Sequence, residues 1–278
     1  MITCKEYVTI KKEELKNKIK TNNICPRLVV FQIGDNPASN SYIKGKHKDC
    51  EEVGIEFHLV KLPETITQEQ LQFEIELINT LATVHGIILQ LPVPDHINVK
   101  EIQEFINPDK DVDGFNKYSI FTPCTPLGVI NYLKYNNYDF EGKNACVIGR
   151  SDIVGKPLSS MLTDLNCTVT LCHSKTKHLE MITDNQDIIF TCIDRVEYFD
   201  DKYFLGSQDV IDIGLGRNEN GKLVGNLTEN AVKKLKIHAH KGNNIIISGT
   251  GGVGLLTRLE LLNNTYEAAL LSEMQYIG

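Results

Sequence analysis

Strand-like apolar runs alternate with helix-period segments in the first third of the chain, and that alternation leaves few folds open. "RLVVFQI" is followed by a helix-period segment around 40–53. "EFHLVKL" is followed by "TQEQLQFEIELINTLA", whose apolar residues Leu71, Ile75, Ile78 and Leu81 recur at helical spacing. "GIILQL" then runs into the proline-broken loop "PVPDH". Two β-α-β units in succession predict a parallel sheet covered on both faces. The pattern pauses at "NPDKDVDGFNKYSIFTPCTP", a stretch rich in Pro, Asp and Asn with no helical period. It reads as a domain boundary whose loop also carries function. A second series follows: helix "PLGVINYLKYN", strand "NACVIG", a helix from about 154, then strands "CTVTLC", "DIIFTCI", "DVIDIG" and "NIIISG". "GLLTRLELLNNTYEAALLSEM" closes the chain as a long amphipathic helix.

Composition narrows the class. The chain has 278 residues, enough for two domains with their own cores, and a formal net charge of −7. That charge argues against nonspecific nucleic-acid or membrane-surface binding. The first residues, "MITCKEYVTIKKEELKNKIK", are charged throughout and lack the apolar segment of a signal peptide, and no apolar run approaches membrane-spanning length. The expected location is the cytoplasm. Eight cysteines are scattered with no Cys-x-x-Cys pair, as expected of free thiols in a reducing compartment. No His or Cys spacing suggests a metal site.

"VIGRSDIVGKP" follows an apolar strand and opens a helix. Gly149 and Gly155 stand where a phosphate-binding turn needs close backbone approach and helix N–H groups aimed at an anion. A plain tight strand-to-helix turn has the same spacing. The next strand, "CTVTLC", ends in "HSKTK", with Ser174, Lys175 and Thr176 where an NAD-binding fold carries an acid. Together with Arg150, these residues suit a 2′-phosphate and favour NADP over NAD. Lysines that are merely exposed would look alike. In "NSYIKGKHKDCEEVGI", Tyr42 and Lys46 are four apart and share a helix face, whereas Lys44 and Lys48 lie on others. By itself this segment reads as an ordinary charged helix.

Taken in order, these motifs resemble the bifunctional methylenetetrahydrofolate dehydrogenase/methenyltetrahydrofolate cyclohydrolase family over nearly the whole chain. "VVFQIGDNPASNSYIKGKHKDCEEVGI", "GIILQLPVP", "PDKDVDGFN", "PCTPLGVINYL", "GRSDIVGKPL" and "TVTLCHSKT" carry the likeness. The resemblance implies an α/β enzyme of two domains with folate in the cleft between them. Residues 1–118, joined by the C-terminal helix 255–278, would form the catalytic domain, and 119–254 a Rossmann-like NAD(P)-binding domain. It implies catalytic roles for Lys46, Tyr42, Gln90 and Asp113: Lys46 as base or proton shuttle, Gln90 holding it, and Asp113 accepting the pterin N–H groups. Folate would be bound by Tyr42, Gln90, Leu91, Pro92, Asp113 and Gly252. The dinucleotide would be bound by Gly149, Arg150, Ser151, Ile153, Gly155, Ser174, Thr176, Ile193 and Gly214. A homodimer and a place in one-carbon metabolism follow from the resemblance alone.

Three departures fall on the cofactor side. "ISGTGGVGLLT" has Ser248, Thr250 and Leu255 where the family has prolines, so this loop should be looser. "GNL" puts Asn226 where a carboxylate near the folate is usual. "CIDR" puts Asp194 where a glycine would admit the dinucleotide, and crowding there is expected. The rival readings are a cyclohydrolase with weakened dehydrogenase activity and a folate- or nucleotide-binding protein without turnover. A short-chain dehydrogenase fails on order, because its Tyr-x-x-x-Lys follows the nucleotide turn and here the pair precedes it.

Overall fold

Contacts divide the chain of this computed structural model, which describes residues 1–239, 245–247, 250 and 252–277, into two units. One, here the N-terminal unit, comprises Glu6–Cys124 and Arg258–Gly278; the other, the middle unit, comprises Met1–Lys5 and Thr125–Thr257.

In the N-terminal unit α1 (Cys4–Asn22) leads to β1 (Arg27–Ile33), α2 (Pro37–Val53), β2 (Glu56–Leu62), α3 (Gln68–Asn79), β3 (Gly86–Gln90) and α4 (Val99–Phe105). The three strands pair in parallel in the order β2-β1-β3. Successive side chains of a strand point to opposite faces, so β1 and β3 feed two cores. Leu28, Val30 and Ile88 pack with Leu15 and Ile19 of α1, Ile43 and Val53 of α2, and Leu261, Leu262 and Tyr266 of the last helix. Val29, Phe31, Ile87 and Leu89 pack with Leu71 and Ile75 of α3 and Ile102 of α4. Each such side chain contributes about 1.5–3 kcal/mol on burial. Thr67 and Gln70 close a reciprocal capping box that fixes the start of α3.

The edge strand β2 is covered less than β1 and β3: Phe57 packs on one core and Val60 and Leu62 on the other, while Glu56, His58, Leu59 and Lys61 are exposed. The terminal helix α9 (Val253–Ile277) is not simply amphipathic. Its middle is buried nearly all round, polar residues Glu260, Asn264 and Thr265 included. These are satisfied locally or by loops: Thr265 Oγ1 donates to the Leu261 carbonyl at 2.7 Å, and Asn264 Nδ2 to that of Val112 at 2.9 Å.

The middle unit runs α5 (Cys124–Tyr135), β4 (Asn144–Ile148), α6 (Gly155–Asp164), β5 (Thr168–Cys172), α7 (Leu179–Thr183), β6 (Ile188–Thr191), β7 (Asp209–Asp212), the hairpin β8 (Leu215–Arg217) and β9 (Leu223–Gly225), α8 (Glu229–Ala239) and β10 (Ile246–Ile247). Its five parallel strands lie in the order β10-β7-β6-β4-β5. Counted from β4, this is the doubly wound order 2-1-3-4-5, and the chain reverses direction between β4 and β6. Open α/β sheets bind ligands in the crevice at that switch point, beyond the carboxyl ends of the strands.

Candidate functional site

In the N-terminal unit, Lys46 and Gln90 come together from separate elements. Lys46 sits mid-way along α2, one turn after Tyr42, which is 43% exposed. Gln90 is the last residue of β3 and is buried. Lys46 Nζ donates to Gln90 Oε1 at 3.1 Å, while Gln90 Nε2 donates to the Leu91 carbonyl at 2.7 Å. The second bond fixes which end of the amide faces the lysine. The Leu91 carbonyl also accepts from Ser39 Oγ at 3.2 Å, and the Leu91–Pro92 peptide is cis. Lys44 and Lys48 are exposed.

Asp113 lies in the turn between Asp111 and Gly114, closed by Gly114 N–H donating to the Asp111 carbonyl at 3.0 Å. Asp111, not Asp113, takes the local N–H group: its Oδ2 accepts from Asn116 N–H at 2.7 Å. Burial raises the Asp113 carboxyl above its ordinary range, and the Lys46 ammonium pulls it back. Burial pushes Asp111 up to about 6, opposed by the Asn116 N–H and reinforced by Asp113. The folded state therefore holds a proton on Asp111 that the unfolded chain releases between about pH 4 and 6. Stability should fall as pH rises through that window by on the order of 2–3 kcal/mol from this group. Denaturant titrations at pH 4.5 and 7.5 should show that share of the pH dependence lost in Asp111→Asn.

Sequence reasoning passed over the charges behind Lys46. Asp49, one turn further along α2, is buried between Lys12 Nζ at 2.5 Å and Arg258 Nε at 2.7 Å. The Arg258 contact is an ion pair whose angle is unsuited to a hydrogen bond. Lys12 also meets Glu52 at 2.8 Å. Gly45 makes this possible, since a Cβ there would strike the Arg258 guanidinium.

In the middle unit the expected dinucleotide residues gather at the carboxyl ends of the strands. Gly149 follows β4 at φ +133°, and a side chain on it would collide with the Cys192 backbone across the switch point. Arg150 is exposed; Ser151 Oγ accepts from the N–H groups of Val154 (3.3 Å) and Gly155 (3.4 Å) as α6 begins, with Ile153 half-buried beside them. After β5, Ser174 is exposed and Thr176 Oγ1 accepts from His173 N–H at 2.9 Å. Gly214 follows β7 and donates to the Thr191 carbonyl at 3.1 Å. Gly252 also belongs to this unit, just ahead of α9. Ser248 and Gly251 lie outside the described residues. Among the described residues no group of three or more His, Cys, Asp or Glu could hold a metal ion, and no helix is long and apolar enough to cross a membrane.

Two of the sequence departures are one structural feature. Asn226 is fully buried. Its Oδ1 accepts from Ile193 N–H at 3.1 Å, and its Nδ2 donates to the carbonyls of Ile193 (2.8 Å) and Arg195 (2.6 Å). The amide is thus spent on the turn after β6, and a carboxylate could not make the last two bonds. Asn226, expected where a carboxylate near the folate is usual, thus turns its amide to the backbone of that turn. Asp194 lies within the clamped turn and is exposed. The same bonds occupy both backbone groups of Ile193.

The doubly wound sheet, its glycine turn at the switch point and the helix opening behind it define a dinucleotide-binding α/β protein. The chain belongs to the tetrahydrofolate dehydrogenase/cyclohydrolase family: residues 2–113 match its catalytic domain and 123–273 its NAD(P)-binding domain. It is 41% identical over 281 aligned residues to the bifunctional protein FolD of Bacillus mycoides (strain KBAB4), covering 97% of this chain and 96% of that one. The crystal structure of the bifunctional methylenetetrahydrofolate dehydrogenase/cyclohydrolase FolD from Campylobacter jejuni is 40% identical, with a TM-score of 0.89 over 97% of this chain and 98% of that one. The Trypanosoma brucei enzyme, solved with NADP cofactor and inhibitor, is 26% identical with a TM-score of 0.86, over 98% of each chain.

Proposed function

We infer that this chain is a bifunctional enzyme of folate one-carbon metabolism. It oxidises 5,10-methylenetetrahydrofolate to the 5,10-methenyl cation with NADP⁺ and then hydrolyses that cation to 10-formyltetrahydrofolate. The observation that carries the reading is the Lys46–Gln90 bond of 3.1 Å at the carboxyl end of β3. In this reading NADP⁺ supplies the hydride acceptor, and Arg150, Ser151, Ser174 and Thr176 hold it. The glycine turn at Gly149 and the N-terminus of α6 fit a pyrophosphate. Asp113 accepts the pterin N–H groups. Gln90 orients the Lys46 ammonium, and Lys46 moves a proton at the oxygen of the water that attacks the methenyl carbon. The likeness to FolD over 97% of the chain supports the bifunctional reading over a cyclohydrolase with weakened dehydrogenase activity.

We further propose a cytoplasmic homodimer. The open edge of β2 supports the dimer, because it offers unpaired backbone groups and half-buried Phe57 to a second strand. The formyl product would serve purine, methionine and histidine biosynthesis.

An absorbance assay with methylenetetrahydrofolate and either NADP⁺ or NAD⁺ tests both steps and the cofactor. Formation of methenyl absorbance with NADP⁺ followed by its decay is expected; absence of either phase overturns that half. Arg150→Ala should weaken NADP⁺ by roughly ten- to a hundredfold, the worth of one charge-assisted contact, and NAD⁺ far less. Equal weakening of both dinucleotides would mean Arg150 does not read the 2′-phosphate.

A further inference from the structure

A cavity of about 630 Å³ opens in the N-terminal unit at the amino end of its sheet. His85, on its wall, stands immediately before β3, whereas Gln90 ends that strand. The cavity and the Lys46–Gln90 pair are therefore about 13 Å apart along β3. Its volume is that of a small-molecule site, about 300–1,000 Å³. No step of the proposed reactions uses it.

Three polar groups of its lining do not satisfy one another. Lys110 is half-buried, and its Nζ donates to the carbonyls of Asn79 at 2.7 Å and Leu81 at 2.8 Å. An ammonium has three protons, so one is left over. Burial lowers the pKa of this ammonium, and no carboxylate raises it. His85 Nδ1 accepts from Arg27 N–H at 3.0 Å, which puts the imidazole proton on Nε2. Burial, then Lys110 and Arg27, holds the ring below its ordinary range against Glu273 and Glu56, so it stays neutral at pH 7. Asp109 adjoins Lys110 in sequence and is exposed on the same cavity. Its N–H donates to Asn107 Oδ1 at 3.0 Å, but its carboxylate forms no ion pair with Lys110 or any other described residue.

The rest of the wall is apolar. Ala268 is buried there, and Ile120 and Leu271 leave 54% and 41% of their surface open. An anion without a positive group would meet Asp109 unpaired, and a cation without a negative one would meet Lys110 unpaired. A neutral apolar compound would desolvate both charges with no return. A carboxylate and an ammonium on one carbon, with an apolar side chain, answer all three parts of the lining.

We propose that this cavity binds a free α-amino acid with a large apolar side chain. The carboxylate lies on Lys110 Nζ and His85 Nε2, the ammonium on Asp109, and the side chain against Ile120 and Leu271. The folate reading does not enter, since none of these residues serves it.

The test is a saturation-transfer NMR titration of the full chain with phenylalanine and its two truncations. 3-Phenylpropanoate lacks the ammonium, and 2-phenylethylamine lacks the carboxylate. Phenylalanine should bind, and each truncation should bind more weakly by roughly tenfold or more, the loss of one charge-assisted contact. Asp109→Asn, at an exposed position that folding does not depend on, should weaken phenylalanine by about the same factor and leave 3-phenylpropanoate no weaker. Lys46→Met should leave phenylalanine binding unchanged, which separates this cavity from the folate site. Equal affinity for all three compounds would show an apolar cleft only and overturn the proposal. So would phenylalanine binding that Asp109→Asn does not touch or that Lys46→Met removes, or no binding of phenylalanine below about 10 mM.

Discussion

Hydrolysis of methenyltetrahydrofolate should fall by roughly two orders of magnitude or more when Lys46 is replaced by Met, in line with the usual contribution of a positioned acid or base. Met keeps the length and helix propensity of the side chain, so α2 and its buried Ile43, Cys50 and Val53 should be undisturbed. What goes is the ammonium that donates to Gln90 Oε1. Gln90 then loses its partner but keeps its bond to the Leu91 carbonyl, so the end of β3 should hold its shape. Lys44→Met, two residues away on an exposed face, should leave the rate within about twofold, as surface substitutions do. Stopped-flow decay of methenyl absorbance on the two variants decides the matter. Matching losses in both would mark α2 as structural support only.

The second large effect concerns Asn226→Asp. One side-chain oxygen would still accept from Ile193 N–H, but the other would face the carbonyls of Ile193 and Arg195 where Nδ2 now donates. At neutral pH that leaves an uncompensated buried carboxylate, which costs about 3–5 kcal/mol. Such a group has a folded-state pKa raised above its unfolded value. The penalty is absent below the unfolded value near pH 4, grows as pH rises towards the folded value, and is complete above it. The variant should therefore approach wild-type stability in acid and fall furthest behind at neutral pH. Denaturant midpoints across pH 4 to 8 would show this, and a constant deficit would mean the turn had rearranged to accept the charge.

How much of this was legible in the sequence depends on where each residue finds its partners. β1 and β3 declare themselves because they are buried on both faces and so read as unbroken apolar runs. Helix α1 is hidden in the sequence although Cys4, Val8, Leu15 and Ile19 are buried at helical spacing, because lysines and glutamates fill the positions between them. Helix α9 reads as amphipathic because local pattern cannot tell a polar residue facing water from Asn264, whose carbonyl partner is 152 residues away. At the site, Lys46 and Gln90 came from separate motifs whose resemblance to a known family linked them, and the structure puts their side chains 3.1 Å apart. Asn226 and Asp194 looked like independent departures. Only the three bonds from one amide to a turn 31–33 residues upstream in the chain show that they belong together.

Helix α9 also bears on the order in which the chain can fold. Leu261, Leu262 and Tyr266 close the core formed by Leu15, Ile19, Leu28, Val30 and Ile88. A chain emerging from the ribosome therefore makes most of the N-terminal unit first and the residues that seal it last, with the whole of Thr125–Thr257 synthesised in between. Until then the face of the β2-β1-β3 sheet that α1 and α2 cover lacks the side chains that complete its core. The middle unit, contiguous apart from Met1–Lys5, has all its strands before α9 is made, the last of them, β10, directly ahead of it. The first-made unit is thus the last to be completed, and the gap left in its core during that interval is the natural ground for chaperone binding.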